Sequence, residues 1–213
     1  MSGAAMHRDQ LWQAIDQERS SLADLFDELS DQEWETPSLC QGWRVRDVAA
    51  HLTLAQTGWG TALAELATAR GSFDRMVHDT AVRQAALPVR QYGILLRAMV
   101  GSRSKAPVIS DLEPLLDALV HGQDIAVPLG RERHVPPLAG AAAAQRVWEM
   151  SWPFFARRRM RGIRLAATDC DWSAGDGPLV EGPIAAILLA LTGRPAGLSR
   201  LSGEGLVTLR RTG

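Results

Sequence analysis

Apolar residues recur at three- and four-residue spacings over much of this chain. Leu11, Ile15, Leu22, Leu25, Phe26 and Leu29 stand among aspartates and glutamates, which predicts an amphipathic helix over Leu11–Leu29. Thr36, Pro37, Ser38 and Gly42 make Trp34–Trp43 a connecting loop. A second helix is expected from Val45 to Arg70, closed by Gly71. Its stretch between His51 and Glu65 has no formally charged residue, so other helices should enclose it. A third helical region covers Phe73–Val100 with an interruption near Pro88, followed by a polar, basic loop over Ser102–Pro107. A fourth helix should start between Ser110 and Pro114, where Ser110 and Glu113 have capping-box spacing. It should stop before Pro128 and Gly130. A fifth, alanine-rich at its start, should run from Leu138 to Arg159.

Beyond Gly162 the pattern turns extended. Ile163–Thr168, Asp171–Ser173 and Leu179–Glu181 read as short strands divided by Asp, Gly and Pro. Pro183–Leu191 reads as a last helix and Leu206–Leu209 as a final strand. The expected architecture is a helical bundle over residues 1–160 and a small C-terminal α/β domain over residues 161–213. No internal repeat is evident.

The 213 residues suffice to bury a core without staples. With 46% hydrophobic and 22% charged residues the composition is that of an ordinary globular chain. A net charge of −1 offers no global attraction to nucleic acid or anionic membrane, and neither is expected as a partner. Arg157, Arg158, Arg159 and Arg161 form a basic run that suits a helix end better than a nucleic-acid footprint. Cys40 and Cys170 lack metal-site spacing and read as free thiols, Cys40 as packing. Neither a signal peptide nor a membrane span is visible, so a cytoplasmic protein is expected, monomeric or homodimeric.

One polar feature stands out on the fourth helix. Glu113, Asp117, His121 and Asp124 share a narrow stripe, and residues four apart lie one above the other. A solvent-facing stripe would account for this spacing. Against that, the stripe is narrow and carries no lysine or arginine. His51 on the enclosed second helix has two readings as well: a core histidine hydrogen-bonded to Asp47, or a metal ligand whose ring Asp47 orients. If His51 meets Asp117 and His121, the three form a set with one coordination position left open, the arrangement of a catalytic divalent metal. Trp34, Trp43 and Trp59 read as core or pocket wall, and His78 as a surface histidine near a pocket mouth.

The run Trp34-Glu35-Thr36-Pro37-Ser38-Leu39-Cys40-Gln41-Gly42-Trp43-Arg44-Val45-Arg46-Asp47-Val48-Ala49-Ala50-His51-Leu52 resembles a signature of the DinB-like superfamily, in the branch of mycothiol-dependent maleylpyruvate isomerases. Leu119-Val120-His121-Gly122-Gln123-Asp124-Ile125 with Pro128-Leu129-Gly130 is similar to the second signature of that branch. Asp171-Trp172-Ser173 and Leu191-Thr192-Gly193-Arg194 resemble its small C-terminal domain. The resemblance implies a mainly α fold: a DinB-like four-helix bundle of up-down-down-up type, with an extra helix and a small C-terminal α/β domain. It also implies that His51, Asp117 and His121 hold a divalent metal, usually zinc, and that Arg194 serves the substrate, where a guanidinium fork suits a carboxylate; a solvated arginine at the negative end of a helix dipole is the other reading of Arg194. Two departures stand out. Asp117 replaces the isomerase's glutamate and is shorter by one methylene, and Arg44 sits where a capping Ser or Thr is common.

The implied activity is that of a metal-dependent isomerase or transferase. Mycothiol or a similar low-molecular-weight thiol would be cosubstrate, and a small electrophile the substrate. Asp47 and Asp124 are candidates to orient a ring or handle a proton, or are plain helix-surface carboxylates. Two other classes stay open: a non-catalytic ligand-binding or regulatory protein on the same bundle, and a thiol-independent metal hydrolase.

Overall fold

The computed structural model describes residues 6–54, 85–104 and 110–212, with side chains to residue 209. It is mainly helical with a three-stranded sheet. The chain divides into two compact units, Arg8–Arg133, and His134–Gly213 with Met1–His7. The division falls earlier than the domain boundary expected after residue 160, because the helix that follows residue 136 packs on a later one.

In the first unit, α1 spans Arg8–Glu28, α2 Asp31–Trp34, α3 Val45–Leu52, α4 Arg90–Ala98 and α5 Leu112–Ala126. Helix α1 packs on α4 and α5, and α3 packs on α5 and α4. Each helix turns its periodic apolar face inward. Leu22 and Phe26 of α1 meet Trp34, Val48, Ala49, Tyr92, Leu96 and Ile125 in one buried cluster. Trp34 sits between Phe26 and Tyr92, with ring centroids 5.5 and 5.6 Å away. That places Trp34 in the core, one of its two readings from sequence.

Short polar contacts define where these helices start. Ser30 and Glu33 form a capping box at α2: the Ser30 N–H donates to Glu33 Oε2 at 2.8 Å, and the Glu33 N–H to Ser30 Oγ at 3.4 Å. At α5 the Ser110 hydroxyl accepts the Leu112 N–H at 3.2 Å and donates to the Glu113 carboxylate. Helix α3 starts at Val45 as expected. The expected extension of its pattern to Arg70, with Trp59, and the part of the third helical region before residue 85, with His78, lie outside the described residues.

In the second unit, α6 spans Pro137–Glu149, α7 Ala156–Arg159 and α8 Ile184–Leu191, with strands β1 Arg164–Ala167, β2 Ser173–Gly175 and β3 Leu179–Gly182. The sheet order is β2-β1-β3, with β1 antiparallel to β2 and parallel to β3. All eight residues of α8 are buried. Helix α6 packs against it closely at Gly140, where an added Cβ would lie 2.8 Å from Ile184 Cγ2.

Two sequence expectations fail here. The fifth helix does not run on to Arg159: it ends at Glu149, and the chain is irregular until α7. Pro153 cannot supply the N–H a continuing helix needs, and Met150 is already extended. The segment expected as a final strand is instead helix α9, Leu206–Thr212. Short apolar runs do not separate strand from helix by pattern alone. Here Ser202 already pairs with Glu181 through two backbone hydrogen bonds of 2.8 Å, and the chain then turns at Gly203 and Gly205. No helix among the described residues is long and apolar enough to cross a membrane.

Candidate metal site

Three elements of the first unit converge on one spot. His51 comes from the last turn of α3, Asp117 and His121 from successive turns of α5, and Cys40 and Trp43 from the loop ahead of α3. His51 Nε2 lies 3.5 Å from Asp117 Oδ2, and His121 Nε2 lies 3.6 Å from Asp117 Oδ1. The two imidazoles stand edge to face, centroids 4.9 Å apart. One ligand atom from each of the three residues falls within 4.8 Å of the others.

These separations suit a divalent ion. Bonds of about 2.1 Å at tetrahedral angles place neighbouring ligand atoms about 3.4 Å apart, whereas an N–H···O hydrogen bond would bring them to about 2.9 Å. Two imidazole nitrogens and a carboxylate oxygen are donors zinc accepts. The side chains of His51 and His121 are 21% and 15% exposed, while that of Asp117 is 41% exposed. The cluster therefore opens toward solvent on the Asp117 side. Asp117 reaches both histidines despite being a methylene shorter than glutamate.

Asp124 supports His121 from behind. It is fully buried, and its Oδ2 lies 2.9 Å from His121 Nδ1. An ionised carboxylate only accepts hydrogen bonds, and facing one, Nδ1 would carry the proton and leave the Nε2 lone pair toward Asp117. A carboxylate behind a histidine is the usual support for a metal-binding imidazole. Of the two carboxylates singled out from sequence, Asp124 has this geometry.

Asp47 does not join the cluster; Arg44 holds it. Asp47 Oδ2 accepts the Arg44 backbone N–H at 2.8 Å and Nε–H at 3.0 Å, and Oδ1 accepts from Nη2 at 3.0 Å. Burial pushes the Asp47 carboxyl up, but these bonds outweigh burial and leave it below its ordinary range. Arg44, expected only to lack a cap, thus helps organise the start of α3 and reaches Glu35 at 2.8 Å as well.

Cys40 is the residue sequence reasoning missed. Its Sγ lies 3.0 Å from Asp124 Oδ2 and 3.7 Å from His121 Nδ1, on a helix far along the chain. Trp43 stands edge-on to His51 with centroids 5.7 Å apart, which makes it a wall of the site, as one of its two readings has it. The other thiol, Cys170, is raised to about 11 by burial and the nearby Asp169 and Asp171.

Residues 15–107 match the family described as the mycothiol maleylpyruvate isomerase N-terminal domain. His51, Cys40 and Trp43 lie within the matched residues; Asp117, His121 and Asp124 follow them. A solved mycothiol-dependent maleylpyruvate isomerase is similar in fold, with 11% identity, 93% of each chain covered and a TM-score of 0.64. A histidine-to-alanine mutant of such an isomerase is similar too, at 12% identity, 93% of each chain and a TM-score of 0.63. No curated protein matches the chain.

The second unit carries Arg194. This residue precedes the 3-10 helix Pro195–Arg200, is half-buried, and donates from Nη1 to the Thr192 carbonyl at 2.8 Å. Arg159 of the same unit donates to the Ala190 carbonyl at 3.0 Å. Burial lowers the Arg159 guanidinium, and the charge of Arg194 adds to that effect. Both arginines thus stand by the C-terminal end of α8, where the helix dipole favours cations.

Proposed function

We propose that this protein is a metal-dependent enzyme that uses a low-molecular-weight thiol, mycothiol or one chemically like it, to isomerise or conjugate a small electrophile. The observation that carries the reading is the convergence of His51, Asp117 and His121 at ligand spacing, with the open side at Asp117. The match of residues 15–107 to the mycothiol maleylpyruvate isomerase N-terminal domain supports the thiol.

A divalent ion, zinc by its donor set, would supply at this site the positive charge that favours a thiolate over a thiol. The protein's own groups do the rest. Asp124 keeps the proton on His121 Nδ1, so that Nε2 stays an electron-pair donor. Trp43 stands against His51 and limits water on that side. The thiolate sulfur would add to one carbon of a conjugated double bond, the former double bond would rotate as a single bond, and expulsion of the thiolate would restore the alkene in the other geometry. For a transferase, protonation of the adduct ends the reaction at the conjugate. Arg194 is the proposed partner for a substrate carboxylate.

The test combines metal analysis and a thiol screen. Protein purified without chelator should contain about one divalent ion per chain, and the His51→Ala variant should lose it. Turnover of a conjugated dicarboxylate or similar electrophile should require thiol, with mycothiol preferred to glutathione. A parent protein that takes up no ion on reconstitution overturns the reading, and turnover without thiol replaces it with a hydrolase.

A further inference from the structure

The loop between α2 and α3 touches both histidines of the site. Its Trp43 ring meets His51, and its Cys40 thiol lies 3.0 Å from Asp124 Oδ2, the same oxygen that faces His121 Nδ1 at 2.9 Å. Backbone bonds fasten the loop in place. The Leu39 N–H donates to the Asp124 carbonyl at 3.1 Å, and the Trp43 N–H to the Cys40 carbonyl at 3.0 Å. Ser38 Oγ accepts the Cys40 N–H at 3.1 Å and donates to the Trp43 carbonyl at 2.9 Å. Gly42, at a φ of 80°, supplies the left-handed step that lets so short a loop close.

We infer that Cys40 is a positioning residue: its S–H donates to Asp124, and this bond fixes the carboxylate that holds His121 with Nε2 toward His51 and Asp117. Asp124 is fully buried, and a buried carboxyl group needs hydrogen-bond partners to be held in one orientation. Oδ2 receives donors from two sides, the imidazole from its own helix and the thiol from the loop. The thiol therefore acts on the site through Asp124. Its place on the Nδ1 side of His121, away from the Nε2 that faces Asp117, fits support rather than ligation.

The inference deepens the metal reading and rests on it for its functional meaning, but the positioning has its own readout. Nitrogen-15 NMR of the imidazoles in metal-free protein should show His121 as the Nδ1–H tautomer. Cys40→Ala should give a mixture of tautomers, and Cys40→Ser, whose hydroxyl can still donate, should restore the parent state. Circular dichroism checks that each variant is folded. An unchanged His121 tautomer in folded Cys40→Ala overturns the inference, whatever the outcome of the metal analysis. Cobalt(II) titration adds a second arm. Affinity should fall roughly tenfold in Cys40→Ala, within the range for groups that support a metal ligand, with recovery in Cys40→Ser. A sulfur-to-cobalt charge-transfer band in the parent that Cys40→Ala abolishes would make Cys40 a ligand and also overturn the inference. A parent that binds no cobalt overturns the metal reading alone, and the tautomer result still decides the role of Cys40.

Discussion

Asp124 and His121, three residues apart on α5, share a hydrogen bond of 2.9 Å in which a fully buried carboxylate holds the ring nitrogen that points away from the other histidine's partner, Asp117. Removing Asp124 should therefore weaken metal binding without removing a ligand. Asp124→Ala is expected to lower divalent-ion affinity by roughly 10- to 100-fold, as measured by competition with a chromophoric chelator.

Asp117 lies between both imidazoles, 3.5 Å from one and 3.6 Å from the other. Asp117→Ala should cost more affinity than Asp124→Ala. Asp117→Glu should keep a stoichiometric ion, since glutamate is the residue the resemblance implies there. Metal content after dialysis checks both outcomes.

Asp47 should behave in the opposite way. Its carboxylate is committed to Arg44, so Asp47→Ala should leave metal content unchanged and lower stability. The remaining Arg44 side chain is 43% exposed, so the loss should be about 1 kcal/mol, that of net hydrogen bonding, readable as a lower urea midpoint.

Glu33 sets an acid limit on the first unit. Hydrogen bonds from the Ser30 backbone and hydroxyl, together with Arg131, hold its carboxyl at about 2 instead of the ordinary 4.5. A lowered folded-state value means that the stabilisation is complete above pH 4.5 and fades as pH falls toward about 2. Ser30→Ala should cost about 1 kcal/mol near neutral pH, and the difference from the parent in urea unfolding should shrink over that acid window.

Arg194 lies in the C-terminal unit and its guanidinium is half-buried. Arg194→Ala should leave metal content unchanged and raise KM for a carboxylate-bearing electrophile more than it lowers kcat. An equal KM with the parent would remove Arg194 from substrate binding.

Helix positions were readable wherever an apolar period ran long enough, as for α1 and α5. Leu206–Leu209 was too short for that, and backbone pairing at Ser202 decided the outcome. Pro153 was visible in the chain, yet the alanine-rich pattern around it read as one helix. Within the site, Asp117 and His121 were paired by helical spacing alone, a local rule. His51 joined them through its motif, and the packing of α3 on α5 brings the atoms together.

What the sequence determined by itself is therefore the local part: which residues share a helix face, that Asp124 sits one turn from His121, and that residues 34–52 carry a family signature. What only the tertiary structure decided is who meets whom across the chain. Arg44 captures Asp47, and Cys40 reaches Asp124 eighty-four residues away. A helix repeats its geometry every few residues, so spacing predicts contacts within it. Contacts between a loop and a distant helix depend on how the whole unit packs, and no local period records them.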